Sequence, residues 1–269
     1  SIDIETYSSV DIKKSGLYKY VQSDDFQVLL FAYSVDGGEV QIIDLINGEE
    51  IPFNIKIAML SPDVVKHAFN AAFEWYCLSK YLNVPNPELW LSQWRCTMVH
   101  GLYCGYPGSL SAVGQALGMS EDKKKMSVGK RLIDIFCKPC KPTKTNGMRT
   151  RTLPVHEPEK WALFKDYCRQ DVVTEMEAEK MLSFWQAPDY VQKQWELDMK
   201  INAYGTAIDM ELVNGALYCS ESDTDKLMNR AREITGLDNP KSDTQLKEWA
   251  VKRLDAEIPS LDKKNLALL

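Results

Sequence analysis

Short apolar runs with period-two spacing open the chain. Residues 2–6, 28–34 and 40–44 carry the β-branched and aromatic side chains of strands, and Asp36-Gly37-Gly38 between the last two is a hairpin-type turn. An antiparallel meander is expected. The period then lengthens: residues 51–59 read as a short helix, 63–69 as a strand feeding a helix over 71–82, and 90–96 as a strand after Pro85 and Pro87, with a helix following to 103. Helical spacing recurs at 109–117 and 128–136, and the stretch 138–153, with its prolines and glycine, reads as an exposed loop. Pro158 opens a long helix to about residue 184, on which Phe164, Tyr167, Asp171 and Thr174 share a face. Strands alternating with helices predict an α/β sheet. Beyond Pro188 the pattern is helical only, over 190–203, 211–234 and 244–254, the last preceded by Ser242-Asp243-Thr244-Gln245 in capping-box form. This change predicts two regions, 1–186 and 187–269.

A chain of 269 residues with 45% hydrophobic positions can bury a full core. It contains no run of about 18 apolar residues, and Asp3 and Glu5 stand where a signal peptide would be basic and then apolar, so a cytosolic protein without membrane partners is expected. The seven cysteines are scattered and odd in number, which in such a chain predicts reduced thiols. Cys137 and Cys140 form one CxxC pair, but a zinc site needs two further ligands at comparable spacing, and two ordinary thiols flanking Pro139 is the simpler reading.

Charge is distributed unevenly. Residues 123–151 hold ten basic side chains against Asp134 alone, a local +9 that leaves −15 on the rest of a chain of net −6. A phosphate-contacting surface on a protein with an acidic centre has this asymmetry, and so does a solvated basic loop.

The candidate chemistry is carboxylate chemistry. Asp3 and Glu5 lie at i and i+2 of the first strand, so both project from one face; Glu74 and Asp171 stand in two further segments. Like charges brought together need cations, and all-oxygen donors favour Mg²⁺ or Mn²⁺. Two such ions about 4 Å apart can clamp a phosphodiester and activate water without a Ser, Cys or His nucleophile.

Three segments carry a family resemblance. Asp3-Ile4-Glu5-Thr6, His67-Ala68-Phe69-Asn70-Ala71-Ala72-Phe73-Glu74 and Tyr167-Cys168-Arg169-Gln170-Asp171 resemble, in order, the three motifs of the DEDD superfamily of 3′–5′ exonucleases, the last in its Tyr-x-x-x-Asp form. The resemblance implies a ribonuclease H-like mixed sheet flanked by helices over residues 1–186. It implies two divalent ions, Asp3 bridging both, Glu5 and Asp171 completing one site, and Glu74, where the family usually has Asp, supporting the other. Tyr167 would orient the attacking water, and Thr6, Asn70 and Phe73 would touch the terminal nucleotide. Lys125, Lys130 and Arg131 are candidate phosphate contacts within the basic segment, and His67 is given no catalytic part. Residues 182–209 resemble the lead-out of the proofreading domain into the polymerase module of phage-type family A DNA polymerases, and the helices after them the start of that module. The implied protein is the front part of such a polymerase in a bacterial or phage-infected cell, trimming the 3′ end of single-stranded DNA. A module of the same fold that only binds and positions DNA is the alternative. Most of the seven tryptophans are expected to fill core rather than stack bases.

Overall fold

The computed structural model describes residues 1–119 and 123–266. Strand β1 (Ile2–Tyr7) is followed by helix α1 (Ile12–Val21), β2 (Gln27–Tyr33), β3 (Gln41–Asp44), α2 (Phe53–Leu60), β4 (Lys66–Ala68), α3 (Ala72–Tyr81), α4 (Pro87–Trp90), β5 (Trp94–Cys96), α5 (Thr97–Tyr103) and α6 (Leu110–Ala116). Helices α7 (Lys123–Phe136), α8 (Pro158–Leu182), α9 (Asp189–Tyr204), α10 (Met210–Thr235) and α11 (Asp243–Leu254) complete the main elements. The α/β organisation expected from the hydrophobic pattern is present. Two compact units divide it, Ser1–Gly205 and Thr206–Leu269, so α9 belongs with the first unit although the composition changes near residue 186. The reason is packing: Trp195 and Met199 of α9 are buried in the same cluster as Ile2, Ile4 and Trp94.

β1, β2 and β3 form the antiparallel meander, in the order β1-β2-β3. β4 and β5 pair in parallel as a separate two-stranded sheet, and β4 runs close to β1 without joining its ladder. Pleating sorts the side chains. Ile2 and Ile4 oppose Tyr33 and Phe31 on the face that packs against α3, whereas Asp3 and Glu5 oppose Ala32 and Leu30 on the face covered by α8. The register shifts between Glu5 and Thr6, and Leu29 and Leu30 both enter the cluster under α8.

α8 carries buried residues at Trp161, Phe164, Cys168, Val172, Glu175, Ala178 and Leu182, steps of three and four that keep one stripe inward over the whole helix. The inward positions after Asp171 are Val172 and Glu175; Thr174, expected on this face, is half-buried and bonds its hydroxyl back to the Gln170 carbonyl at 2.8 Å.

Three other expectations change. Helix α1 was not foreseen from the pattern: Asp11 caps it by accepting from the Lys13 amide, and Gly16 kinks it at a left-handed φ of 78°. The strand expected over 90–96 shortens to β5 because Pro87 starts a helical turn instead. The loop 138–153 is exposed for much of its length yet closed on itself, with the Cys140 amide donating to the Thr150 carbonyl at 2.7 Å and Asn146 Nδ2 to the Lys141 carbonyl at 2.9 Å.

Candidate metal centre

β1 and α8 bring the two ends of the acidic set together. Asp3, Glu5 and Asp171 each offer a carboxylate oxygen, and the three lie within 4.8 Å of one another. Glu74 stands in the first turn of α3, where its own backbone amide and the positive helix terminus favour a negative charge. It lies outside that three-carboxylate group, yet its charge acts on Glu5 and that of Asp3 acts on it.

Burial dominates the electrostatics. It pushes the proton affinity of Asp3, Glu5 and Glu74 well above the usual carboxylate range, and neighbouring carboxylates push each further: Asp171 at Asp3, Asp3 and Asp171 at Glu5, Asp3 at Glu74. Asp171 rises to about 6 through burial, against a lowering contribution from the Tyr167 hydroxyl. Tyr167, half-buried and beside Asp171 and Glu5, is pushed above the ordinary tyrosine value, first by burial and then by those charges. It stays protonated near neutrality.

Two thiols address the cluster, a role that the position of neither in the chain predicts. Cys168 Sγ donates to Asp3 Oδ2 at 3.3 Å, and Cys137 Sγ donates to Glu5 Oε2 at 3.6 Å. Cys137 is thereby separated from its CxxC partner, since Cys140 Sγ donates to the Arg149 carbonyl at 3.3 Å. All seven cysteines are free.

Gly129 of α7 was also overlooked. A Cβ there would meet Cε2 of Tyr167 at 2.1 Å, so the ring lies directly on the glycine backbone. Glycine allows this approach because it has no side chain. Phe164 stacks with the Tyr167 ring, 6.3 Å between centroids and 11° between planes. These two contacts restrict the ring, and the hydroxyl bonds Asp171.

The expected nucleotide contacts are dispersed. Thr6 is buried, its hydroxyl 2.7 Å from that of Tyr20. Asn70 is exposed, in the left-handed region at φ 65°, where the chain turns from β4 into α3. Phe73 is half-buried, its ring 6.3 Å from that of Tyr20. Lys130 and Arg131 are exposed on α7, immediately after Gly129, while the side chain of Lys125 lies outside the described residues. Arg151, counted with the basic segment, is engaged inward: its guanidinium sits 3.7 Å over the Tyr7 ring and Nη2 donates to Gln27 at 2.9 Å. His67 is beneath the surface and its pKa is lowered to about 4, chiefly by burial.

The residues fit divalent cations by an internal criterion. Glu74 Oε2 is buried with no hydrogen-bond partner, and the convergent donors are oxygens, the set preferred by Mg²⁺ and Mn²⁺. Cysteine enters as a donor to these oxygens.

Among known proteins, no family model matches the chain and no solved structure matches it. The chain is similar to the DNA polymerase of Bacillus phage SP02, 47% identical over 249 residues, which is 93% of this chain. It spans 38% of that relative's length.

Proposed function

We propose that residues 1–186 form a metal-dependent 3′–5′ exonuclease domain on a ribonuclease H-like fold, in the front part of a phage-type family A DNA polymerase, and that residues 187–269 begin its polymerase module. The substrate is the 3′ end of single-stranded DNA, the product a nucleoside monophosphate, the task proofreading in the cytoplasm of an infected bacterium. The observation that carries this reading is the convergence of Asp3, Glu5 and Asp171 to within 4.8 Å with Tyr167 beside them. The similarity to a named phage DNA polymerase supports it.

Asp3, Glu5 and Asp171 would hold one Mg²⁺ or Mn²⁺, and Asp3 with Glu74 a second. When bound, such ions lower the pKa of water and neutralise charge on the phosphodiester. The chain's own residues do the rest. Attack of water on the terminal phosphorus breaks the bond to the 3′ oxygen of the penultimate nucleotide. Tyr167, protonated and held by its contacts with Gly129 and Phe164, hydrogen-bonds and orients that water; its raised pKa makes it a poor base. Cys168 holds Asp3 in one rotamer by its bond to Oδ2. Asn70 and Phe73 border the position of the last nucleotide, and Thr6 acts from behind through Tyr20.

A 5′-labelled oligonucleotide incubated with the protein and Mn²⁺ is expected to shorten one residue at a time. Asp3→Ala should slow this at least about 100-fold, as loss of a central charge at a phosphoryl site does. Wild-type and Asp3→Ala preparations that both leave the strand intact, while binding it, would make the domain a DNA-positioning module instead.

A further inference from the structure

One buried carboxylate belongs to none of the three motifs. Glu175 is 2% exposed; no Lys or Arg pairs with it among the described residues, and the cation that acts on it is the Ser1 ammonium at the head of β1. Its Oε1 accepts from the Thr97 hydroxyl of α5, but Oε2 is buried without any partner, as is Oε2 of Glu74, itself 3% exposed. Carboxylates withdrawn from water to this degree require compensation, which for Glu175 comes in part from the Ser1 ammonium and for Glu74 from no cation that acts on it. Tying α5 to α8 does not demand a charge, since an uncharged acceptor would serve Thr97 equally well. The free oxygen is left over.

Its position places it with the acidic cluster. Tyr167, Asp171 and Glu175 follow one another at four-residue steps, one stripe of α8, and the charge of Glu175 acts on both Asp3 and Glu74. Glu74 and Glu175 are thus two buried acids, each with one idle oxygen, both electrostatically coupled to Asp3, and both outside the compact group of Asp3, Glu5 and Asp171.

We propose that Glu175 is a further metal-binding carboxylate of this centre, its free Oε2 acting with that of Glu74 on the second divalent ion, directly or through the ion's water. The inference rests on the metal-centre reading above. It makes the site a five-carboxylate one, the fifth contributed by the same helix as Tyr167 and Asp171.

Mn²⁺ titration of the whole chain by calorimetry tests it without recourse to activity. The wild type is expected to bind two ions. Glu175→Gln, which keeps an acceptor for Thr97, should leave the tighter site unchanged and weaken the other by about 10- to 100-fold. Glu175→Ser, smaller and equally uncharged, should give the same loss, and Thr97→Val, which removes the tie and leaves the charge, should keep both ions. Two ions at wild-type affinity in Glu175→Gln and Glu175→Ser would overturn the proposal while leaving the metal centre standing. A loss in Thr97→Val equal to that in Glu175→Gln would overturn it in favour of a purely structural role. A wild type that takes up no Mn²⁺ would overturn both readings together.

Discussion

Asp171 shows how a single side chain reports on the whole centre. Its pKa rises to about 6 in the folded chain from an ordinary 3.8, so the native state holds its proton more tightly than the unfolded state does. The associated stability is fully present below about pH 4 and is lost as pH climbs through 6; a two-unit shift corresponds to roughly 2–3 kcal/mol. Metal reverses the sign, because a divalent ion binds the deprotonated carboxylate and stabilises more as pH rises. Urea unfolding in EDTA should therefore give a stability that declines between pH 4.5 and 7.5, a decline that Asp171→Asn flattens and that saturating Mn²⁺ abolishes. A wild-type profile parallel to that of Asp171→Asn in EDTA would show that Asp171 is not held in this strained company. At this scale the chain was partly legible. Strand periodicity put Asp3 and Glu5 on one face, and the four-residue step tied Tyr167 to Asp171, because both follow from backbone geometry alone. Glu175 obeys the same step, and one more turn along the helix would have found it. The thiols of Cys137 and Cys168 could not be foreseen, since their contacts with Glu5 and Asp3 span 132 and 165 residues of chain.

Between elements, the decisive contact is that of α7 with α8. The Tyr167 ring occupies the space a side chain at residue 129 would need, so α7 approaches α8 closely enough to clamp it. Gly129→Ala must displace the ring, and with it the hydroxyl beside Asp171, without touching a carboxylate. Under the proposed function the expected result is a fall in kcat of about 10- to 100-fold with Mn²⁺ affinity unchanged, the signature of a mis-set water-orienting group rather than a lost ligand. Equal turnover in Gly129→Ala and wild type would mean that Tyr167 tolerates either position. The helices themselves were readable because their apolar stripes are long: α8 repeats its inward residues through seven positions. Short elements were not. β4 and β5 have three residues each, too few for a period to emerge, and α1 buries only Tyr20 and Val21, so its hydrophobic pattern is faint and its evidence is the Asp11 cap. The close packing of α7 on α8 is invisible in sequence, where Gly129 looks like any glycine in a basic helix.

For the molecule as a whole, charge asymmetry is the organising fact, and the structure divides the basic segment into parts with different work. Arg151 stacks on Tyr7 and bonds Gln27, anchoring the end of the loop to β1 and β2 and turning its charge inward, while Lys138, half-exposed, pairs with Asp134 at 2.5 Å. Lys130 and Arg131 are exposed, and they follow directly on the glycine that seats Tyr167. Two exposed cations on the helix that contacts Tyr167 would offset the repulsion of a polyanion by the acidic cluster and leave the carboxylates for metal. Each phosphate contact to a single strand releases counterions and contributes about 0.7 to the slope of log affinity against log salt. Replacing Lys130 and Arg131 by alanine should accordingly reduce that slope by about 1.4, weaken single-stranded DNA binding at low salt, and leave affinity at high salt nearly unchanged. Arg151→Ala, by contrast, should lower the unfolding midpoint through loss of its stacking on Tyr7, with a smaller effect on the slope. Fluorescence-anisotropy titrations of a labelled strand across salt concentrations read all of these, and an undiminished slope in the double variant would move the DNA path away from α7 altogether.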